Sequence, residues 1–442
     1  MKKILKTILI VLLFKLSALV LKKYNPKIVA ITGTVGKTST KDAIYVALSQ
    51  FESVRKSPKS FNSEFGIPLA ILDADSPGGN LLGWAKVLVE GVVLLIFPNH
   101  YPRWLVLEVG TDRPGDIAEI TKWLTPDVVI VTRLSKVPVH VEAFGSPEYL
   151  FEEKGNLVKA LKSGGILILN ADDSDVVAYR NISKDLSAQP GKVILFGNSA
   201  GSDVGALNHK IIYNEGGIPT GVSFEVLVVE HEDLPLKIEL KGTLGEQHSY
   251  HILAALCLIK ALGENLTIAV KSFQNESAPP GRMKLVEGFN DSIIIDDSYN
   301  SSPVAVEEAL KTLESIKLSS KSSRKIAILG DMLELGHYTS EAHKKIGKDV
   351  SKIAEILATV GIRSRYTAES ALNAEMNEAN IFQFDDSLEA GKFMRDLIKK
   401  GDIILIKGSQ GMRMEKVVEN LMAHPELAEK LLVRQGKEWK NR

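Results

Sequence analysis

The sequence is poor in cysteine and carries no net charge, and both absences narrow what the protein can be. Its one cysteine, Cys257, excludes an intramolecular disulfide and favours a reducing compartment. Lys plus Arg and Asp plus Glu both number 54, so the basic surplus expected of a nucleic-acid-binding protein is missing. The 442 residues, 45% of them hydrophobic, are enough for two or three domains with their own cores. We therefore expect a cytoplasmic globular protein with no nucleic-acid partner.

A long uninterrupted hydrophobic run is also missing, although the N-terminus comes near to one. The apolar stretch from Thr7 to Leu21 is interrupted by Lys15 and Ser17, so it is short and charged for a membrane-spanning helix. A secretory signal would need a small-residue cleavage site, and this segment instead continues through Lys22 and Lys23 toward the phosphate loop, so export would place an ATPase outside the cell. We interpret residues 1–23 as a helix on the inner face of the membrane, held there by apolar side chains and lysines. A helix packed on the protein's own body is the alternative.

A second apolar segment, Trp84 to Phe97, is followed by the aromatic residues Tyr101 and Trp104. Aromatic residues beside a short apolar helix are typical of membrane interfaces. Apolar runs of this length are equally typical of a buried helix in an α/β core. The sequence leaves both interpretations open.

The most informative pattern is a short apolar strand that runs into a glycine-framed loop and then a helix. Gly33 and Gly36 allow backbone N–H groups to surround phosphate oxygens. Lys37 can reach the terminal phosphates, and Thr38 can place a hydroxyl on Mg²⁺. The first glycine and the Gly-Lys pair stand two residues closer together than in the common P-loop. The pattern predicts that ATP and Mg²⁺ are bound by the loop residues Gly33, Thr34, Val35, Gly36, Lys37, Thr38 and Ser39.

Beyond the N-terminus, short runs of Val, Ile and Leu alternate with amphipathic stretches, which is the pattern of parallel strands and crossover helices. The extended runs between Val193 and Leu240 predict a small antiparallel patch, and Pro279-Pro280-Gly281 predicts a domain boundary. The predicted strands are Ile28 to Thr32, Trp104 to Glu108, Val128 to Thr132 and Gly165 to Asn170, then Ser292 to Asp296, Lys325 to Leu329, Ile356 to Val360 and Asp402 to Lys407.

We therefore predict an α/β fold in three parts. Residues 1–23 form the membrane-associating helix. Residues 24–278 form a central P-loop ATPase domain with a parallel sheet, and residues 279–442 form a C-terminal Rossmann-like α/β domain.

Two polar residues follow predicted strands of the central domain. Glu108 ends the strand that begins at Trp104, and His140 follows the strand that ends at Thr132. Ligands of parallel α/β sheets bind at the carboxyl ends of the strands. A carboxylate there can hold Mg²⁺, and a neutral imidazole can ligate a second metal ion. A lone histidine is more often structural, so the role of His140 depends on its neighbours.

Short motifs that match one enzyme family extend from about Lys27 to Met422. The most specific are Asp296-Asp-Ser-Tyr-Asn300 and Gly330-Asp-Met-Leu-Glu-Leu-Gly336. The others are Thr32-Gly-Thr-Val-Gly-Lys-Thr-Ser39, Asn62-Ser-Glu-Phe-Gly-Ile-Pro-Leu69, Leu107-Glu-Val-Gly110, His140-Val-Glu-Ala-Phe-Gly-Ser146, Glu153-Lys-Gly155, Asn170-Ala-Asp172, Pro280-Gly-Arg282 and Lys407-Gly-Ser409. On these motifs the sequence resembles the Mur ligases, the ATP-dependent amide ligases of peptidoglycan synthesis.

The resemblance implies that ATP phosphorylates a substrate carboxylate and that an amine then attacks the acyl phosphate, which releases an amide and phosphate. In the branch with these motifs, the carboxylate belongs to a UDP-N-acetylmuramoyl-tripeptide and the amine to D-alanyl-D-alanine. Lys37 and Thr38 then hold the phosphates and Mg²⁺. Glu108 holds the same ion and His140 a second one. Lys154 falls where the family has a lysine carbamylated by CO₂, whereas the sequence alone favours a solvated lysine.

The resemblance also assigns residues to the two substrates. It places Asn62 and Ser63 before the path of the UDP-sugar substrate, and Lys407 and Ser409 on the face toward the dipeptide. The nucleotide is contacted by His251, Arg282, Asp297, Tyr299 and Asn300. Relatives usually have asparagine where His248 and His251 stand, and imidazole can still hydrogen-bond a base edge.

The sequence also differs from the family in the part that would bind the muropeptide. Family members place a UDP-binding module before the phosphate loop, and we expect this module to be missing because only the lysine-rich apolar segment precedes the loop here. A lipid-linked muropeptide is therefore an alternative substrate. The sequence is also compatible with an amide ligase of the poly-γ-glutamate, cyanophycin or folylpolyglutamate type, and with a membrane-tethered nucleotide-binding scaffold. We expect a monomer at the inner face of the cell membrane.

Overall fold

The computed structural model describes residues 3–58, 61–135, 141–184, 189–229, 236–274, 278–436 and 439. Within these residues the chain forms two α/β units in succession, each built around one mainly parallel sheet. The prediction of an α/β fold with a P-loop domain followed by a Rossmann-like domain is confirmed.

The first unit contains a nine-stranded sheet among the described residues, in the order β2-β3-β1-β4-β5-β6-β7-β8-β9. Its strands are β1 (Lys27–Thr32), β2 (Val54–Lys56), β3 (Trp104–Glu108), β4 (Val128–Val131), β5 (Ile166–Asn170), β6 (Lys192–Gly197), β7 (Val204–Tyr213), β8 (Pro219–Val228) and β9 (Leu236–Lys241). Its helices are α1 (Lys3–Tyr24), α2 (Lys37–Leu48), α3 (Gly66–Leu72), α4 (Leu81–Ile96), α5 (Asp116–Thr121), α6 (Val141–Phe144), α7 (Pro147–Lys159), α8 (Ser174–Lys184), α9 (Gln247–Leu262) and α10 (Leu266–Ser272).

The central strands of this sheet are apolar on both faces because helices cover both. Along β1, Val29 and Ile31 point into one core with α2 and α9, whereas Ile28 and Ala30 point into the other with α3 and α5. Successive side chains of a strand alternate between faces, so a strand buried on both sides reads as a continuous apolar run. This is why the sequence predicts these strands well.

The expectation of an antiparallel patch from Val193 to Leu240 is wrong at its start. Strand β6 pairs in parallel with β5 and so continues the main sheet. The reason is topological: α8 crosses over between β5 and β6 and returns the chain in the same direction. In the described part of this unit, β7 pairs in parallel with β6, and the antiparallel pairs are β7 with β8 and β8 with β9. Gly217 lies in the turn that joins β7 and β8.

The second unit has a six-stranded sheet in the described part of the chain, in the order β10-β11-β15-β12-β13-β14, and only β10 runs antiparallel to its neighbour. Its strands are β10 (Lys284–Gly288), β11 (Ser292–Asp297), β12 (Lys325–Gly330), β13 (Ile356–Val360), β14 (Ile381–Phe384) and β15 (Ile403–Lys407). Its helices are α11 (Pro303–Ser315), α12 (Thr339–Val350), α13 (Arg365–Asn373), α14 (Ser387–Leu397), α15 (Glu415–Leu421) and α16 (Ala428–Leu431).

The N-terminal helix packs on the protein's own body along one side. Leu13 and Val20 of α1 are fully buried against α3 and α4. The fit is close, because a Cβ atom at Gly91 of α4 would lie 2.3 Å from Leu16 Cδ2. Helix α4 is not a buried core helix, since its buried residues are only Trp84, Val87 and Gly91. Each helix therefore has one packed side and one exposed side.

By length and composition, one helix of the described residues, Ile4–Tyr24, could cross a membrane. Of the most apolar stretch of this helix, 28% is buried inside the protein.

Candidate active site

A cleft with a volume of about 550 Å³ lies where the carboxyl ends of β1, β3 and β4 face the second unit. Residues of both units line it, as expected for parallel α/β sheets, which bind ligands at the carboxyl ends of their strands. The predicted site residues that line the cleft are Gly33, Thr34, Val35, Gly36, Lys37, Thr38, Ser39, Asn62, Glu108, Lys154, His251, Arg282, Asp297, Tyr299, Asn300 and Lys407.

The phosphate loop connects β1 to α2 along one wall of this cleft. Gly36 adopts the left-handed conformation, with φ of 89°, and α2 begins at the next residue without a side-chain cap. The first N–H groups of α2 can therefore bind an anion, aided by the helix dipole. The Lys37 Nζ donates to the carbonyl oxygens of Gly33 (2.9 Å) and Thr34 (3.3 Å), which folds the lysine over the loop. Burial lowers the pKa of Lys37, and Glu108 opposes this shift.

Close packing fixes the shape of the loop. The Thr132 Oγ1, at the end of β4, donates to the Val35 carbonyl at 2.7 Å. A Cβ atom at Gly33 would lie 2.0 Å from that same oxygen, and the φ of Gly33 is +142°. Only glycine therefore fits this position without displacing Thr132.

We expect Gly33→Ala to weaken ATP binding by at least about tenfold, because the added methyl group displaces Thr132 and opens the phosphate loop. Titration of the purified protein with ATP measures this change. Gly79→Ala is the matched control, since a Cβ atom there meets nothing within 4 Å. Equal ATP affinity of the two variants would show that the loop does not need its observed shape.

The hydroxyl of Thr38 and the carboxylate of Glu108 are in contact where the phosphate loop passes into α2. The Thr38 Oγ1 lies 2.9 Å from Glu108 Oε2, and the Asn62 Nδ2 donates to the other Glu108 oxygen at 3.4 Å. Among the described residues no three His, Cys, Asp or Glu side chains form a metal-binding group. Mg²⁺ is usually held by one or two protein oxygens together with phosphate oxygens and water, so Thr38 and Glu108 fit an ATP-bound Mg²⁺. His140, the predicted ligand of a second ion, lies outside the described residues.

Lys154 of α7 is buried beneath the phosphate loop, with 4% of its surface exposed. Its Nζ donates to the Gly33 carbonyl at 3.2 Å. The neighbouring Glu153 points elsewhere and accepts from the Ile117 N–H at 2.6 Å, at the start of α5. Burial, reinforced by the charge of Lys37, lowers the pKa of Lys154 to about 7. Lys154 is therefore not a solvated helix lysine, and a large fraction of its amine is neutral near pH 7.

Two uncharged imidazoles line the far side of the cleft, at the start of α9. The His248 Nε2 lies 2.8 Å from Thr243 Oγ1, and the rings of His248 and His251 meet edge to face with centroids 5.5 Å apart. Burial lowers the pKa of His248 to about 4 and the pKa of His251 well below its ordinary value. Both rings are neutral at physiological pH, so they can offer donors and acceptors to a base without placing a charge beside it.

The second unit contributes a set of cross-linked polar side chains. The Lys407 Nζ donates to Asp297 Oδ2 at 2.5 Å and to the Asn300 carbonyl at 2.9 Å, which ties the end of β15 to the end of β11. The Arg282 guanidinium lies 4.2 Å from the centre of the Tyr299 ring. These contacts hold the strand ends of the second unit in place opposite the phosphate loop.

Two predicted substrate residues are not brought to the cleft. Ser409 is buried, and its hydroxyl accepts from the Leu333 N–H at 2.9 Å. The Ser63 carbonyl accepts from the Ile67 N–H at the start of α3, and the side chain of Ser63 is not part of the cleft lining. Contact of either residue with a substrate stays a prediction.

The sequence analysis missed an ion pair that joins the two units across the cleft. Arg133 of the first unit pairs with Glu308 of α11 in the second. Burial raises the pKa of Glu308, and Arg133 opposes this shift. Arg133 follows β4 closely, so the rule that selected Glu108 at the end of β3 could also have selected it. Glu308 lies in the middle of an amphipathic helix, and nothing in the sequence around it indicates a place in the cleft.

The fold and this cleft are those of a nucleotide-dependent ligase with a separate C-terminal domain. The family model for the "Mur ligase middle domain" matches residues 92–259, and the one for the "Mur ligase, glutamate ligase domain" matches residues 281–410. The chain belongs to the Mur ligase family, as its motifs predict, and is therefore an ATP-dependent ligase.

Within the family, the chain is similar to curated UDP-N-acetylmuramoyl-tripeptide–D-alanyl-D-alanine ligases, known as MurF. The Bacillus subtilis protein is 25% identical over 409 residues, which cover 92% of this chain and 78% of that protein. The Escherichia coli protein is 26% identical over 416 residues, which cover 92% and 79%. These relatives support the MurF branch over the remaining types of amide ligase.

Solved structures agree with these relatives. The MurF ligase of Thermotoga maritima in complex with ADP superimposes with a TM-score of 0.73 at 26% identity, covering 95% of this chain and 84% of that one. MurF of Acinetobacter baumannii also gives a TM-score of 0.73, at 21% identity, and this match concerns the fold alone.

Proposed function

We propose that this protein is an ATP-dependent amide ligase of peptidoglycan precursor synthesis that joins D-alanyl-D-alanine to a UDP-N-acetylmuramoyl-tripeptide. The observation that carries the proposal is the cleft in which Lys37, Glu108 and Lys154 of one domain face a set of polar residues of the other. The names of the curated relatives and the ADP complex of the Thermotoga protein support the choice of substrates.

The residues of the phosphate loop can bind and orient ATP. The N–H groups at the start of α2 have no side-chain cap, and the Lys37 ammonium lies over the same loop, so both can bind the terminal phosphates of ATP there. Mg²⁺ held by Thr38 and Glu108 would neutralise phosphate charge when bound. Because phosphoryl transfer gathers negative charge on the moving group, fixed positive groups at this point lower the barrier.

The proposed reaction has two bond-forming steps. A carboxylate oxygen of the tripeptide attacks the γ-phosphorus of ATP, and ADP leaves with the electron pair of the broken P–O bond. The amine of D-alanyl-D-alanine then attacks the acyl carbon, phosphate leaves, and the amine loses a proton. Both steps need the two substrates aligned and water excluded, and the meeting of two domains over one cleft can provide this alignment.

Phosphate release in the presence of ATP and Mg²⁺ tests this proposal, with UDP-N-acetylmuramoyl-tripeptide and D-alanyl-D-alanine added singly and together. We expect release only with both, because the acyl phosphate is consumed only when the amine attacks it. Mass spectrometry should show the product as a UDP-N-acetylmuramoyl-pentapeptide. An absence of release with both substrates would contradict the proposal and would direct the search to a lipid-linked muropeptide.

The proposed enzyme is a monomer in the cytoplasm, at the inner face of the membrane, and it uses two Mg²⁺ ions and a carbamylated Lys154. These finer points are predictions. The neutral amine of Lys154 supports the carbamate, and the exposed apolar sides of α1 and α4 support the membrane contact.

A further inference from the structure

Helices α1 and α4 together form an outward surface that the ligase reaction does not use. They pack against each other, and both rest on α3, whose residues are all buried. The sides of α1 and α4 that point away from α3 therefore share one surface, here called the α1–α4 face. Its exposed apolar side chains include Ile4, Ile8 and Leu19 of α1 and Leu82, Val89 and Ile96 of α4.

The size of the α1–α4 face requires an explanation. The two helices have 22 and 16 residues, so they are about 33 and 24 Å long and, at a width of about 10 Å each, together present on the order of 500 Å² of outward surface. The most prominent side chains are far from buried, with Ile4 at 75% and Leu82 at 82% exposure. Contiguous apolar patches larger than a few hundred Å² mark sites of contact with a protein or a membrane.

The composition of the face decides between these two partners. Protein interfaces are enriched in aromatic residues and arginine and depleted in lysine. The α1–α4 face instead combines aliphatic side chains with exposed Lys15 and Lys22, and α1 contains no acidic residue. On α4 the exposed Lys86 pairs with Glu90 at 3.6 Å, so the net positive charge of the face comes from α1. Lysines can lie along an apolar surface and place their ammonium groups among lipid phosphates. We infer that the α1–α4 face binds the surface of an anionic lipid bilayer.

The packing of α1 indicates that it lies in the plane of the bilayer surface and does not cross the membrane. Its opposite side is fixed to the protein by the buried Leu13 and Val20. At its C-terminal end the Lys23 Nζ donates to the Leu94 carbonyl of α4 at 2.8 Å and to the carbonyl of Phe97, just after α4, at 2.7 Å. The Tyr24 hydroxyl donates to the Leu94 carbonyl at 2.8 Å. A spanning orientation would break these contacts and uncover α3.

Vesicle flotation of the full chain tests this inference, which does not depend on the ligase substrates. Vesicles of phosphatidylglycerol and phosphatidylcholine are compared with vesicles of phosphatidylcholine alone. We expect at least about tenfold more protein on the anionic vesicles, because several lysines approach the headgroups together. We also expect most of this preference to disappear at high salt, where surface charges are screened.

A matched pair of double variants locates the contact. Val89→Glu with Ile96→Glu places two carboxylates on the α1–α4 face, whereas Ile268→Glu with Leu388→Glu places two at exposed apolar positions elsewhere. We expect the first pair to lose vesicle binding by about tenfold or more and the second to bind like the parent. Both should bind ATP normally, which shows that they are folded.

Three results would overturn the inference. Equal vesicle binding by the two double variants would place the contact elsewhere. Resistance of the bound protein to alkaline carbonate would show that α1 spans the bilayer. A lipid-free dimer that Val89→Glu with Ile96→Glu dissociates, combined with no binding to vesicles, would show that a second copy of the chain covers the face.

Discussion

Replacing Lys37 by methionine is expected to lower ATP-dependent phosphate release about 1,000-fold, because the cleft loses the ammonium that would stabilise the transferred phosphoryl group. Methionine keeps most of the apolar volume of the partly buried side chain, so the loop should retain its fold. Steady-state phosphate release with both proposed substrates measures the effect.

Lys348→Met is the control, since Lys348 is exposed on α12. We expect that variant to keep full activity. A substitution of Lys37 also separates a ligase from the alternative of a nucleotide-binding scaffold. A scaffold would tolerate the change, whereas a ligase should lose activity. Retention of more than about a tenth of the parent rate by Lys37→Met would show that the lysine does not stabilise the transition state.

A second large effect is expected at Lys154. Addition of its amine to CO₂ forms an N–C bond and releases a proton, and only the neutral amine can attack. The pKa of Lys154 is lowered to about 7. The neutral form therefore predominates above pH 7 and is lost as the pH falls below 7. We expect phosphate release to fall steeply between about pH 8 and pH 6 and to drop several-fold in buffer freed of CO₂.

Added bicarbonate should restore the lost activity of the parent at pH 8. Lys154→Met should lose about 100-fold in activity and should not respond to bicarbonate. Lys159→Met, a change at an exposed position of the same helix, should behave like the parent. A parent enzyme whose rate is the same with and without CO₂ would argue that Lys154 acts as an amine, and Lys154→Met would still report whether that amine is needed.

The residues of the phosphate loop could be identified from the sequence because the function of such a loop is local. The spacing of Gly33, Gly36 and Lys37 fixes a turn and the start of a helix, whatever surrounds them. Glu108 was found by a rule that is almost as local, since it ends a buried strand. By contrast, Lys154 looks like any helical lysine, and only the family resemblance selected it.

What the sequence could not provide were contacts between distant segments. The pairing of Arg133 with Glu308 joins residues from the two units, and neither side chain carries a pattern that names its partner. The direction of β6 was missed for a related reason, since local propensity does not specify which neighbour a strand will pair with.

The sequence by itself determined the α/β class, the strand ends that carry the phosphate loop and Glu108, and the apolar character of α1 and α4. These features depend on the periodicity of apolar residues and on backbone conformations available to glycine. The tertiary structure decided that Lys154 lies buried beneath the loop with its pKa lowered, and that α1 packs on α3 with one side left exposed. Burial is set by the packing of residues far apart in the chain, and neither a pKa nor an exposed face is defined until that packing exists.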